Sequence, residues 1–213
     1  MPTRIALIHA MQPSIAPIEA AFRAHWPEVE RFDLLDGSLA LDRARGAPVE
    51  AFFDRFDRLA AHAIDSGATA LLFTCSAFGA AIEHVARRYT PRPVMKPNEA
   101  MIAEAAATPG PVGLIASFVA TLETMPREFP PAVALIPVLA EGALAALEAG
   151  DAAGHDARLV AAALRAREDG ARVIAIAQFS AARAAARVAE ATGLPVLTTP
   201  DSAVRALRAR LGA

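Results

Sequence analysis

Two stretches of this chain repeat one another, and that repetition restricts the fold more than any single residue does. ALLFTCSAFGAAIEHVA (residues 70–86) lies over VIAIAQFSAARAAARVA (173–189). After one residue of slippage in the turn, PVMKPNEAMI (93–102) lies over PVLTTPDSAV (195–204). Each copy reads as strand, polar tip, helix, Pro-Val strand and capped helix. An earlier pair repeats as well: IALIHAMQPS (5–14) lies over VGLIASFVAT (112–121), which matches Ala10 with Ser117 and Ser14 with Thr121. The chain therefore reads as two pseudo-symmetric halves, 1–110 and 111–199, joined at Pro109-Gly110-Pro111, with a last helix (200–213) returning to the first half.

Short apolar runs alternate with longer amphipathic stretches, the pattern of parallel sheets flanked by helices, so the expected class is α/β with Rossmann-like halves. Strands are expected at Arg4–His9, Glu28–Leu34, Ala70–Thr74, Pro93–Lys96, Val112–Ala116, Val133–Ile136, Arg172–Ala177 and Pro195–Thr198. Apolar residues at helical spacing (Phe52, Phe53, Phe56, Leu59, Ala60, Ala63, Ile64) predict a helix over 49–66, stopped by Gly67. Further helices are expected over 77–88, 98–107, 156–168, 180–191 and 200–211, with Asn98 and Ser180 as N-caps and Pro200 in a first turn.

The 213 residues are 54% hydrophobic and 21% charged, which suits a folded soluble protein rather than a disordered one. A formal net charge of -2 and scattered arginines offer neither nucleic acid nor an anionic membrane a binding surface. No apolar run approaches the roughly 20 residues a membrane span needs. The first strand begins almost at Met1, leaving no room for a leader, and one cysteine cannot form an intramolecular disulfide; a cytoplasmic location is expected. GxGxxG, GxxxxGK[ST] and HExxH are all missing, so neither nucleotide cofactor nor metal is expected.

In parallel α/β sheets ligands bind beyond the carboxyl ends of the strands, where helix N-termini offer unpaired N–H groups. The predicted tips carry small polar groups: His9, Gln12 and Ser14; Thr74, Cys75 and Ser76; Ser117 and Thr121; Gln178 and Ser180. Two such halves bring these tips to one cleft suited to a small carboxylate. Cys75 stands between a strand and a helix, where a thiol pKa can fall toward neutrality and yield a base or nucleophile. The alternative, a cysteine serving as a small core hydrophobe, fits poorly with polar neighbours on both sides. His9 reads either as a proton relay or as a hydrogen-bonded structural histidine. His25, His62, His84 and His155 have no partner at ligand spacing, and Lys96 reads either as a cation steering a carboxylate or as a surface strand terminus.

These tips resemble those of the superfamily of aspartate, glutamate and hydantoin racemases, maleate isomerases and arylmalonate decarboxylases. TCSAFG is similar to the first catalytic-cysteine motif of that family, and VGLIASFVATLET to the segment that opens its second half, whose hydroxyls bind the substrate carboxylate. The resemblance implies a duplicated α/β fold, cofactor-independent isomerase chemistry at the α-carbon of a small carboxylate, and a homodimer or higher homo-oligomer. It also places the second catalytic cysteine at Gln178, where the internal repeat independently puts the counterpart of Cys75. Glutamine does not titrate, so ordinary two-base racemisation lacks its second thiol.

Three mechanisms follow for Cys75. It exchanges a proton on one face of the substrate, it adds covalently as the first cysteine of maleate isomerases does, or it works with another proton donor such as His9. In each, Gln178, Ser180, Ser117 and Thr121 steady a carboxylate or oxyanion, with Gln12, Ser14, Thr74 and Ser76 lining the same site. A decarboxylase-like lyase, a carboxylate binder without turnover and a redox-sensitive thiol are the alternatives. Arylmalonate decarboxylases also use one cysteine, but theirs occupies the second position.

Overall fold

A computed structural model describes residues 2–213. Its strands form two four-stranded sheets, parallel throughout. In the first sheet β1 (Arg4–His9), β2 (Glu30–Leu35), β3 (Ala70–Phe73) and β4 (Val94–Met95) lie in the order β2-β1-β3-β4. In the second, β5 (Val112–Ala116), β6 (Leu135–Leu139), β7 (Val173–Ile176) and β8 (Val196–Thr198) lie in the order β6-β5-β7-β8. The two orders are identical once the second set is renumbered. The helices are α1 (Ile15–His25), α2 (Ser38–Ala44), α3 (Phe53–Asp65), α4 (Gly79–Arg88), α5 (Glu99–Ala107), α6 (Val119–Thr124), α7 (Ala143–Glu148), α8 (Ala152–Glu168), α9 (Ala185–Thr192) and α10 (Thr199–Arg210). One compact unit runs through Glu99 and takes in Ala203–Ala213; the other is Ala100–Ser202.

Each predicted strand is present, and the departures have physical causes. β6 begins two residues and ends three residues later than the pattern suggested, because Pro137 reads as a breaker yet lies inside the strand. β6 is an edge strand, where a missing N–H is tolerated. α8 starts before Gly154 rather than after it, because the Asp151 side chain accepts from the Gly154 N–H, 2.8 Å away, and caps the turn. α1, α2, α6 and α7 had no strong helical pattern; three of them are only six or seven residues long.

The two cores are built from different residues. In the first unit an aromatic cluster fills the space under the sheet. Phe56 on α3 packs against Phe73 and Phe78, with ring centroids 5.1 Å away in each case, and Phe78 meets Phe52 edge-on at 5.0 Å. Phe73 and Phe78 bracket the Cys75 turn, so burial of these rings also places the thiol. In the second unit α8 presents Leu159, Ala162, Ala163 and Ala166 to Ile115, Ile174 and Ile176. The helix comes so close that a Cβ on Gly113 would stand 2.9 Å from both Ala166 and Ile174, tighter than side chains pack. No helix among the described residues is long and apolar enough to cross a membrane.

Candidate active site

The strand register carries the repeat into three dimensions. Ile5 pairs with Ala70 and Ile8 with Phe73 in the first sheet; Val112 pairs with Val173 and Ile115 with Ile176 in the second. The next bond is also shared. Thr74 N–H donates to the Ile8 carbonyl (3.1 Å), and Ala177 N–H to the Ile115 carbonyl (2.9 Å). One residue later, Cys75 and Gln178 therefore stand at the same place in their units. Both have extended backbones and each precedes a 3₁₀ turn, Ser76–Phe78 in one unit and Phe179–Ala184 in the other. These 3₁₀ turns postpone the α-helices to Gly79 and Ala185. Ser180 accordingly lies inside the turn and is not an N-cap, a correction that hydrophobic pattern could not supply because it does not separate 3₁₀ from α geometry.

Cys75 is half-buried against the aromatic core. The Ala77 N–H donates to its sulfur and stabilises the thiolate, but burial acts more strongly in the other direction and pushes the thiol pKa above its ordinary value. The lowering expected from a helix N-terminus is therefore reversed. Only a short 3₁₀ turn follows the cysteine. The resting group is a neutral thiol.

His9 ends β1 fully buried. Its Nδ1 lies 2.9 Å from Thr74 Oγ1 and its Nε2 2.8 Å from Asp33 Oδ1. Burial holds the His9 pKa below the usual histidine value, although hydrogen bonding to Asp33 raises it, so the ring carries one N–H at neutral pH. A carboxylate only accepts; that N–H is on Nε2, and Nδ1 accepts the Thr74 hydroxyl proton. The hydroxyl beside Cys75 is thus committed to His9. Asp33 was missed in the sequence. Its signal was position alone, two residues before Leu35, the residue registered opposite His9.

In the second unit the Gln178 side chain is fixed by its neighbour strand. Ser117 N–H and Oγ–H both donate to Gln178 Oε1, at 2.6 and 2.9 Å. A backbone N–H can only donate, so the amide oxygen must face Ser117 and the NH₂ end must point away. Where the first unit has a thiol, the second presents an oriented hydrogen-bond donor. Behind it, Asp156 on α8 accepts from Arg183 Nε (3.0 Å) in the turn after Gln178 and also bonds buried His155 Nδ1 (2.9 Å). His155 pairs with the next residue on its own helix, whereas the Arg183 bond arises from the packing of α8 against that turn.

The remaining predicted residues divide by exposure. The Ser14 hydroxyl is buried and donates to the Met11 carbonyl (2.5 Å), closing its own loop. Gln12 and Ser76 are exposed, and Thr121 and Ser180 half-buried. Lys96 pairs with Glu83 at 2.7 Å, as a strand-end lysine can. Among the described residues no group of three or more His, Cys, Asp or Glu could hold a metal ion.

No protein-family model matches the chain. No curated protein matches it either. Solved structures do. Allantoin racemase from Klebsiella pneumoniae superposes with a TM-score of 0.75 at 19% identity, covering 99% of this chain and 88% of the other. Picrophilus torridus aspartate racemase gives 0.71 at 10% identity over 99% and 94%. Unliganded arylmalonate decarboxylase gives 0.60 at 16% identity over 97% and 92%. The chain has the two-unit racemase fold along nearly its whole length.

Proposed function

We propose that the protein is a cofactor-independent isomerase of the aspartate/glutamate racemase superfamily, moving a proton at the α-carbon of a small carboxylate through Cys75 alone. The observation that carries this reading is the equivalence of Cys75 and Gln178 in the two registers, in a fold whose solved examples include racemases. A racemase needs an acid/base on each face of the α-carbon, and an amide cannot be one. A single thiol instead suits a shift in which Cys75, having given its own proton to water, takes the α-proton as thiolate and returns it on the same face to a neighbouring carbon. In the second unit Gln178 Nε2 is a donor for a carboxylate, with the Thr121 and Ser180 hydroxyls as further donors, and in the first unit the Ser76 hydroxyl flanks Cys75. His9 acts on Cys75 indirectly, by holding Thr74.

One observation favours a second reading. A thiol kept protonated by burial is an acid before it is a base. In a lyase related to arylmalonate decarboxylase, CO₂ would leave and Cys75 would protonate the resulting enediolate, then recover its proton from water.

The test is NMR-detected exchange of α-protons in D₂O over a panel of carboxylates, with Cys75→Ser and Gln178→Cys beside the wild type. Cys75→Ser should lower exchange by about 10²-fold or more, and Gln178→Cys should add inversion of configuration. A fully active Cys75→Ser protein would reject both readings.

A further inference from the structure

The first unit holds a cavity of about 470 Å³ between the end of α2, the 3₁₀ turn Val49–Phe52 and the first turn of α3. None of its lining residues belongs to the strand tips. The volume falls among the roughly 300–1,000 Å³ pockets that take small organic molecules rather than single ions. Its walls are of two kinds: Ala47, Ala51 and Phe52 supply hydrocarbon, and Arg45 and Arg55 supply guanidinium groups. Arg55 is fixed before any ligand arrives. It donates to Asp42 Oδ2 at 2.7 Å and to Asp36 Oδ2 at 2.9 Å, and its guanidinium carbon stands 5.7 Å from the centroid of the Phe52 ring. Arg45 differs. Its side chain is 77% exposed, and its bond is a long one, 3.5 Å, to the Asp42 carboxylate that Arg55 already holds. Arg45 can therefore turn to a ligand without leaving Asp42 unpaired.

The remaining polar groups decide what the cavity takes. The Gly46 N–H donates to the Arg43 carbonyl, that of Ala47 to Asp42 and that of Ala51 to Pro48, so these backbone donors are used within the chain. Asp42 is held by two guanidiniums, and a cation finds no uncommitted carboxylate in the lining. What is left is the donor fork of Arg45, which carries a permanent positive charge and matches the paired oxygens of a carboxylate or phosphate. We infer that this cavity is a binding site for a small organic anion: a carboxylate or phosphate monoester whose oxygens meet Arg45 and whose apolar body lies against Ala47, Ala51 and Phe52. The site is separate from Cys75 and stands independently of the chemistry proposed there.

The experiment titrates the full chain with benzoate, phenyl phosphate, inorganic phosphate and benzylamine, following backbone amides by NMR. Benzoate or phenyl phosphate should shift the amides of residues 42–47 and 51–55 and bind at least about tenfold more tightly than inorganic phosphate or benzylamine. The tighter of the two identifies the head group. Arg45→Gln should weaken that ligand by about tenfold. Ala51→Phe, which fills the cavity from an exposed position, should abolish binding there. An unchanged melting temperature in Arg45→Gln excludes misfolding as the cause. Equal binding of benzylamine would overturn the assignment of charge, and equal binding of inorganic phosphate would overturn the apolar body. Absence of shifts in residues 42–55 with both organic anions overturns the inference outright. Binding that survives both substitutions and shifts residues 74–76 or 177–180 instead would place the anion at the strand tips and overturn it as well.

Discussion

His9 donates one proton to Asp33 and accepts one from Thr74, and its burial makes a second ring proton unfavourable. The consequence for stability has a definite sign. The folded pKa lies below the unfolded value of 6.5, so between these two values the unfolded chain binds more protons and stability falls as pH drops. His9→Asn should remove this part of the pH dependence. Urea denaturation at about pH 7.5 and about pH 5.5 checks it: the loss between the two should be smaller in the variant than in the wild type. An equal loss would mean that His9 is not held neutral by the fold. At this scale the repeat made Cys75 and Gln178 legible as counterparts. Asp33 and Asp156 were not legible, because their partners come from strand register and helix packing, which apolar periodicity leaves open. The direction of the Cys75 pKa was hidden too, since it depends on how deeply Phe73 and Phe78 draw the turn into the core.

Among the elements, the strand–turn–helix around Cys75 depends on an aromatic anchor. Phe78 is fully buried, touches Phe52 and Phe56, and lies three residues after the thiol. Phe78→Ala should cost about 3–5 kcal/mol, from lost transfer energy and the cavity left behind. Phe78→Leu keeps most of the volume and should cost less than about 2 kcal/mol. Chemical denaturation of the two variants checks the order, and near-equal losses would show that the ring's shape, not its volume, holds the turn. The strands were legible because buried parallel strands read as compact apolar runs between turn signals. The short helices α2, α6 and α7 were not, since six or seven residues give too few turns for a period to stand out.

For the whole molecule, the chain's end belongs with its beginning. Ala203, Val204 and Leu207 of α10 are fully buried, and the Arg208 guanidinium donates to the His25 carbonyl at 2.7 Å. Those residues count with the first unit, although the preceding part of the helix belongs to the second. Removing residues 203–213 should therefore loosen the first unit selectively. Amide hydrogen exchange is the measurement: β1–β4 should lose protection while β5–β8 keep theirs, and a uniform loss would show one cooperative fold.

The proline in β6 has an effect at a larger scale than its own strand. Val112 donates to Ala134, and Ala140 donates to Ala116, so even-numbered residues of this segment turn their backbone groups toward β5. Pro137 is therefore outward-facing, at an exposed position of an edge strand, and the donor it lacks is one that a foreign strand would need. A rim with a gap in its hydrogen-bonding groups is a poor template for intermolecular ladder growth. The residue that made the strand hard to see in the sequence is also a guard against aggregation when the protein is concentrated.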